Sequence, residues 1–120
     1  MAITGKKIVI TGGAGFIGST LAGRLAEQNK IVLFDSLARN TIQHTSLQNN
    51  TNISLVQGDI LDVDLLTDTL DRFNCTGVVH VAGFKYAGVS VKRPLHTYTQ
   101  NVTGMVKVLD AMHRAGVNKL

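Results

Sequence analysis

An α/β fold built on a doubly wound parallel sheet, with strand order 3-2-1-4, is what these 120 residues predict, on three observations. Short apolar, β-rich runs alternate with stretches of helical period. One run, at residues 78–82, is apolar almost without interruption, as a strand covered on both faces must be. The first run passes directly into the first helix through a glycine-rich turn. Right-handed crossovers between successive parallel strands then give the order 3-2-1-4.

The first run, Ile8-Val9-Ile10, breaks into Thr11-Gly12-Gly13-Ala14-Gly15-Phe16-Ile17-Gly18, after which Ile17, Leu21 and Leu25 fall at helical spacing. A helix entered this way aims its N-terminus, with unpaired N–H groups and about half a positive charge, into the turn. Such a turn is an anion site, and a phosphate suits it. Gly13, Gly15 and Gly18 fit the G-x-G-x-x-G pattern, whose glycines permit a tight turn, close approach of a pyrophosphate and close helix packing. The same spacing also occurs as an ordinary glycine turn in other α/β proteins. The second strand, Ile31-Val32-Leu33-Phe34, closes on Asp35, 17 residues past Gly18 and 20 past Gly15. A carboxylate there is placed to accept the hydroxyls of an adenosine ribose and repels a 2′-phosphate, which favours NAD over NADP. A turn or cap aspartate is the plainer alternative.

Residues 36–52 are polar and without period, an irregular connection with a helical turn around residues 42–47. Residues 53–57 form the third strand, followed by Gly58-Asp59-Ile60. Asp62 caps a helix that carries Leu66, Leu70 and Phe73 on one face, and Asp62 and Asp64 complement its dipole. Val78-Val79-His80-Val81-Ala82-Gly83 is the fourth strand. His80 inside it reads as a neutral, hydrogen-bonded core residue rather than a catalytic one. Ala82 and Gly83 leave room for a ligand at the strand's carboxyl end. Residues 84–93 read as a loop. Pro94 opens a long helix in which Tyr98, Val102, Met105, Leu109 and Met112 make one apolar stripe, and Gly116 ends it. Residues 117–120 read as the lead-in to a fifth strand.

Composition narrows the function classes. With 44% hydrophobic and 17% charged residues the chain is one globular domain rather than a disordered segment. The single cysteine, Cys75, forms no internal disulfide and no cysteine zinc site, and reads as a structural thiol in a reducing compartment. No secretory leader and no apolar run of membrane-spanning length is present, so the expectation is a soluble, cytoplasmic protein that engages no membrane. The net charge of +4 comes from scattered residues, with no basic stripe and interleaved aromatics, so no nucleic-acid partner is expected.

These residues together resemble the N-terminal part of the extended short-chain dehydrogenase/reductase family, the NAD-dependent epimerases and dehydratases, and within it the UDP-glucose 4-epimerase subgroup. TGGAGFIGS is similar to the family's T-G-x-x-G-x-x-G turn, with Gly12, Gly15 and Gly18 as its glycines. FDSL resembles the acidic strand end, and QGDI the adenine-side Asp-Ile pair. The most specific match is the run from Val78 onward, where A-G-x-K, G-x-S-V-x-x-P-L and N-V-x-G follow one another. Outside residues 36–52 the resemblance covers nearly the whole chain.

The resemblance implies a Rossmann-type NAD site. In it, Phe16 and Ile17 present backbone to the pyrophosphate. Asp35 holds the adenosine ribose, helped by Ser36, Leu37, Ala38, Arg39 and Asn40. Asp59 and Ile60 flank the adenine. Val81, Ala82, Gly83 and Phe84 line the cofactor with backbone, Lys85 bonds it near the nicotinamide ribose, and Asn101 serves from the following helix. The family often has a second asparagine just before the last, where this sequence has Gln100. Catalysis in the family uses a Tyr-x-x-x-Lys pair. Neither Tyr86 nor Tyr98 has a lysine four residues on; the positions hold Ser90 and Val102. The expectation is therefore the NAD-binding portion, residues 1–120, of a longer homodimeric enzyme. That enzyme interconverts nucleotide sugars, UDP-glucose and UDP-galactose, by transient oxidation at C4. The alternatives are the cofactor half of a nucleotide-sugar dehydratase or decarboxylase, and a non-catalytic NAD-binding module.

Overall fold

The computed structural model describes residues 2–120. Four strands, β1 (Lys7–Thr11), β2 (Lys30–Asp35), β3 (Ile53–Gln57) and β4 (Gly77–His80), form one sheet in the order β3-β2-β1-β4, with every pair parallel. This is the expected order 3-2-1-4. Alternation along the strands sends side chains to two cores. Val9, Val32, Phe34 and Val78 pack against α2 (Val63–Arg72) and α5 (Gly104–Ala115), where Leu66, Leu70, Val108, Ala111 and Met112 are buried. Ile8, Ile10, Ile31 and Leu33 face the other way, onto α1 (Phe16–Leu25) and the segment around Ile42. The two central strands are buried on both faces, which is why they read as continuous apolar runs.

The short polar connection holds two 3₁₀ turns, Ile42–His44 and Ser46–Asn49, where the sequence suggested a helical turn. Asp62 caps α2 as expected, its Oδ1 accepting the Leu65 N–H at 3.0 Å. Gly116 ends α5 in the left-handed conformation, with φ +71. The Val117 N–H reaches back to Met112 O at 2.8 Å. Beyond it, the Val78 N–H donates to Lys119 O at 2.9 Å, so the chain after α5 begins to run beside β4. Cys75 is buried, and burial pushes its thiol up to about 11, which suits the structural role read from the sequence. Among the described residues no helix is long and apolar enough to cross a membrane.

Four expectations need correction. In α1 the buried residues are Gly18, Ser19 and Ala22, continued by Ala26 at its C-cap, whereas Ile17 is 57% exposed and Leu21 and Leu25 only flank the core. The helix lies so close to the first turn that a Cβ on Gly18 would collide with Gly12 O, and small residues must therefore face the sheet. β4 ends at His80 instead of running through Gly83: the Val81 N–H is shared between the Thr11 carbonyl and hydroxyl, and the Ala82 N–H turns to that hydroxyl. A short helix, α3 (Ala87–Lys92), occupies the expected loop; it buries no residue, so it left no apolar period to read.

The long helix is the fourth case. It is divided into α4 (Pro94–Tyr98), a π turn (Thr99–Thr103) and α5. Pro94 opens it as expected, but the wider turn changes the phase. The buried line of α5 is Gly104, Val108, Ala111 and Met112, while Tyr98, Val102 and Leu109 are exposed.

Candidate cofactor cleft

All four strands point their carboxyl ends at one cleft of about 600 Å³. In an open parallel sheet that edge, where neighbouring connections leave to opposite faces, is where ligands bind. Here β1 leads to α1 on one face and β4 leads toward α5 on the other.

The floor is the glycine turn. Gly12 has φ +68, and a Cβ there would stand 2.7 Å from the Ala82 nitrogen, so only glycine fits between β1 and the end of β4. The Gly15 N–H returns to Gly12 O, and the first helical bond runs from the Ser19 N–H to Gly15 O. No side chain caps α1. The amides of Phe16, Ile17 and Gly18 are therefore left without intrahelical acceptors at the positive end of the helix. Gly12, Gly15, Phe16, Ile17 and Gly18 all line the cleft. Gly13 does not; it is buried against Leu33, and the motif that describes the turn is T-G-x-x-G-x-x-G.

Thr11, which sequence reasoning passed over, fastens this floor. Its fully buried Oγ1 accepts the N–H groups of Val81 at 3.1 Å and Ala82 at 3.3 Å, and lies 2.6 Å from His80 Nδ1. With both acceptor positions occupied, the hydroxyl donates to Nδ1, which fixes His80 as the neutral tautomer protonated on Nε2. Burial holds the His80 pKa below its ordinary value. His80 is the neutral, hydrogen-bonded residue expected.

Asp35 stands at the rim, at the end of β2. Its Oδ2 accepts the Ala14 N–H at 2.9 Å and its Oδ1 the Leu37 N–H at 2.7 Å. These bonds fix the carboxylate's direction, and each oxygen retains a free lone pair. Ser36, Ala38 and Arg39 continue the rim, and Asp59 and Ile60 form the wall beyond β3. Val81, Ala82, Gly83, Phe84 and Lys85 form the opposite wall.

Three of the expected site residues sit behind the wall. Leu37 packs toward the α1 core, and Asn40 Oδ1 accepts the Ile42 N–H at 3.1 Å within its own turn. Asn101 clamps Phe84, accepting its N–H at 2.6 Å and donating Nδ2–H to its carbonyl at 2.8 Å. Gln100 faces the cleft instead, together with Phe34, Gly58, Tyr86 and His96. Gly58 adjoins the Asp59-Ile60 pair and Tyr86 follows Lys85, so adjacency was the only signal for them.

The profile of the NAD dependent epimerase/dehydratase family matches residues 8–120. The chain belongs to that family. A UDP-glucose 4-epimerase from Erwinia amylovora is 35% identical to it over 116 residues, covering 93% of this chain and 34% of its own length. The structure of a UDP-glucose 4-epimerase from Stenotrophomonas maltophila, solved with NAD and formylated UDP-arabinopyranose, superposes with a TM-score of 0.87. Its identity is 32%, over 94% of this chain and 35% of that one. The Brucella ovis UDP-glucose 4-epimerase, in complex with NAD, gives a TM-score of 0.82 at 33% identity, over 94% and 34%. The chain thus spans about a third of the length of these relatives.

As a member of an NAD-dependent family, the chain is tested by whether its cleft fits the dinucleotide. It does. The free amides at the α1 N-terminus suit a diphosphate, Gly15 lines the turn with no Cβ between those amides and the cleft, and the Asp35 carboxylate suits hydroxyls, while Gly12 and Gly18 let β1, β4 and α1 close up beneath them.

Proposed function

We propose that this chain is the NAD-binding part of a UDP-glucose 4-epimerase. The observation that carries the reading is the convergence on one cleft of an uncapped helix N-terminus, a glycine that cannot bear a side chain, and an oriented carboxylate at the next strand end. The family match and the likeness to epimerases solved with NAD support it.

On this reading Phe16, Ile17 and Gly18 hold the diphosphate with their amides. Asp35 accepts the adenosine ribose hydroxyls, with Ser36, Ala38 and Arg39 beside it. Asp59 and Ile60 bound the adenine, and Val81 to Lys85 with Gln100 line the nicotinamide side. Leu37, Asn40 and Asn101 act from behind, by holding the loops that carry the wall. NAD, when bound, supplies a reversible hydride acceptor for the sugar carbon. These 120 residues contain no Tyr-x-x-x-Lys pair to take the sugar's proton, so the chain orients the cofactor and turns over no nucleotide sugar by itself. The same reading makes the whole enzyme a cytoplasmic homodimer acting on UDP-glucose and UDP-galactose.

Titration calorimetry with NAD and NADP, paired with an epimerisation assay on UDP-galactose, tests this. Saturable NAD binding, at least about tenfold weaker NADP binding, and no turnover are expected; the tenfold figure corresponds to about 1.4 kcal/mol, the scale of one charge-assisted contact. Absence of NAD binding would sink the cofactor reading. Measurable epimerisation would sink the division of labour.

A further inference from the structure

β1 lies between β2 and β4, and the glycine turn leaves the sheet from the end of β1. A contact between the segment after β2 and the segment after β4 must therefore pass over that turn. Neighbouring strands stand about 4.8 Å apart, so such a contact bridges roughly 10 Å of sheet. Arg39 and Tyr86 make it. The guanidinium carbon of Arg39 lies 4.3 Å from the centroid of the Tyr86 ring, and both residues line the cleft.

Each half of the bridge is fastened at its base. Arg39 sits at the crest of a short arch. One foot is the Leu37 N–H on Asp35, and the other is Thr41, whose N–H and hydroxyl both donate to Ala14 O at 2.9 Å. Tyr86 follows Phe84, whose backbone Asn101 locks on both sides. The Phe84 ring meets Tyr86 edge-on at 5.6 Å and His96 at 4.9 Å, which ties the tyrosine to α4. Among the described residues no hydrogen bond or salt bridge joins the two halves, and the crest contact links them. Among the described residues Arg39 forms no salt bridge, so its charge over the turn is not neutralised by a carboxylate.

From this we infer that Arg39 and Tyr86 form a clasp that closes over the dinucleotide above its diphosphate and slows its release. The inference rests on the reading of the cleft as an NAD site. An exposed cation–π contact shifts an equilibrium about two- to fivefold, which sets the size of the effect.

Stopped-flow release of NADH, followed by its own fluorescence, tests the clasp in the wild-type chain and in R39A, Y86A, the double variant and Y86F. Release should quicken about two- to fivefold in each alanine variant and no further in the double variant. Y86F should match wild type, because its ring keeps the face that Arg39 covers. Unchanged release in both single variants would overturn the clasp alone, and so would effects that multiply in the double variant, since the two residues would then act separately. A wild-type chain that binds no NADH would overturn the cofactor reading and the clasp together.

Discussion

One hydroxyl, that of Thr11, decides how β4 leaves the sheet. It holds two backbone amides and satisfies the ring nitrogen of His80, all from a fully buried position. T11V keeps the shape and removes all three partners at once. The Val81 N–H retains the Thr11 carbonyl, but the Ala82 N–H and His80 Nδ1 are left without theirs. The expected loss is about 1–3 kcal/mol in urea denaturation, with weaker NAD binding because the cleft wall starts at Val81. His80 adds a pH dependence whose sign follows from its burial. Its folded pKa is lowered, so the folded state binds that proton less tightly than the unfolded chain does. The contribution is present above the unfolded value of about 6.5 and is lost as the pH falls through the lower folded value. Urea midpoints should drop more steeply on acidification for wild type than for H80N; equal slopes would remove His80 from the account. The neutral histidine was legible in the sequence because an imidazole in an apolar run has few alternatives. Its partner was not, because nothing in T-G-x-x-G distinguishes a threonine that points into the core from one that caps a turn.

At the scale of elements, what the sequence shows depends on what each element buries. β3 and the capped start of α2 were legible to the residue, since the apolar run and the Asp62 cap are local signals. D62A should therefore cost about 1 kcal/mol in thermal or urea unfolding and leave NAD affinity unchanged, as Asp62 touches no part of the cleft. The faces of α1 and, apart from Met112, which is buried as expected, of α5 were misread, in part for a shared reason. Periodicity finds the large apolar residues, whereas a helix packed tightly on its neighbour presents small ones. In α1 and its C-cap the inward residues are Gly18, Ser19, Ala22 and Ala26. In α5, Gly104 brings the helix within reach of Ile60, where a Cβ would lie 2.6 Å from its Cδ1. The π turn also displaces the phase by a fraction of a turn, which no single-sequence period reveals. The same limit applies to the site. Residues read from the ends of strands (Gly12, Asp35, Asp59, Val81) stand on the cleft, because the sheet fixes where strand ends lie. Leu37, Asn40 and Asn101 turn away from it, because loop and helix side chains take directions that spacing does not set.

Across the whole molecule, exposed apolar residues along the helix that opens at Pro94, three of them from the misread stripe, form a second surface. Leu95 is 82% exposed, Tyr98 66%, Val106 58%, Val102 55% and Leu109 46%, all along the helix from Pro94 to Ala115. Covering one large apolar side chain contributes about 1.5–3 kcal/mol, so a few of these residues suffice for measurable self-association. The outer edge of β4 is a competing surface. Among the described residues its Val78 N–H alone is occupied, by Lys119 O, and an open strand edge templates pairing with another chain. The two differ in what disturbs them. A charge placed on the helix, as in V102E, desolvates badly in a helix-to-helix contact and is indifferent to edge pairing. Sedimentation velocity should show concentration-dependent association of the wild-type chain and a monomer for V102E at the same concentrations, with the NAD affinity of both alike, since Val102 lies off the cleft wall. Association that persists in V102E would assign it to the β4 edge, and a wild-type chain that stays monomeric throughout would remove both surfaces.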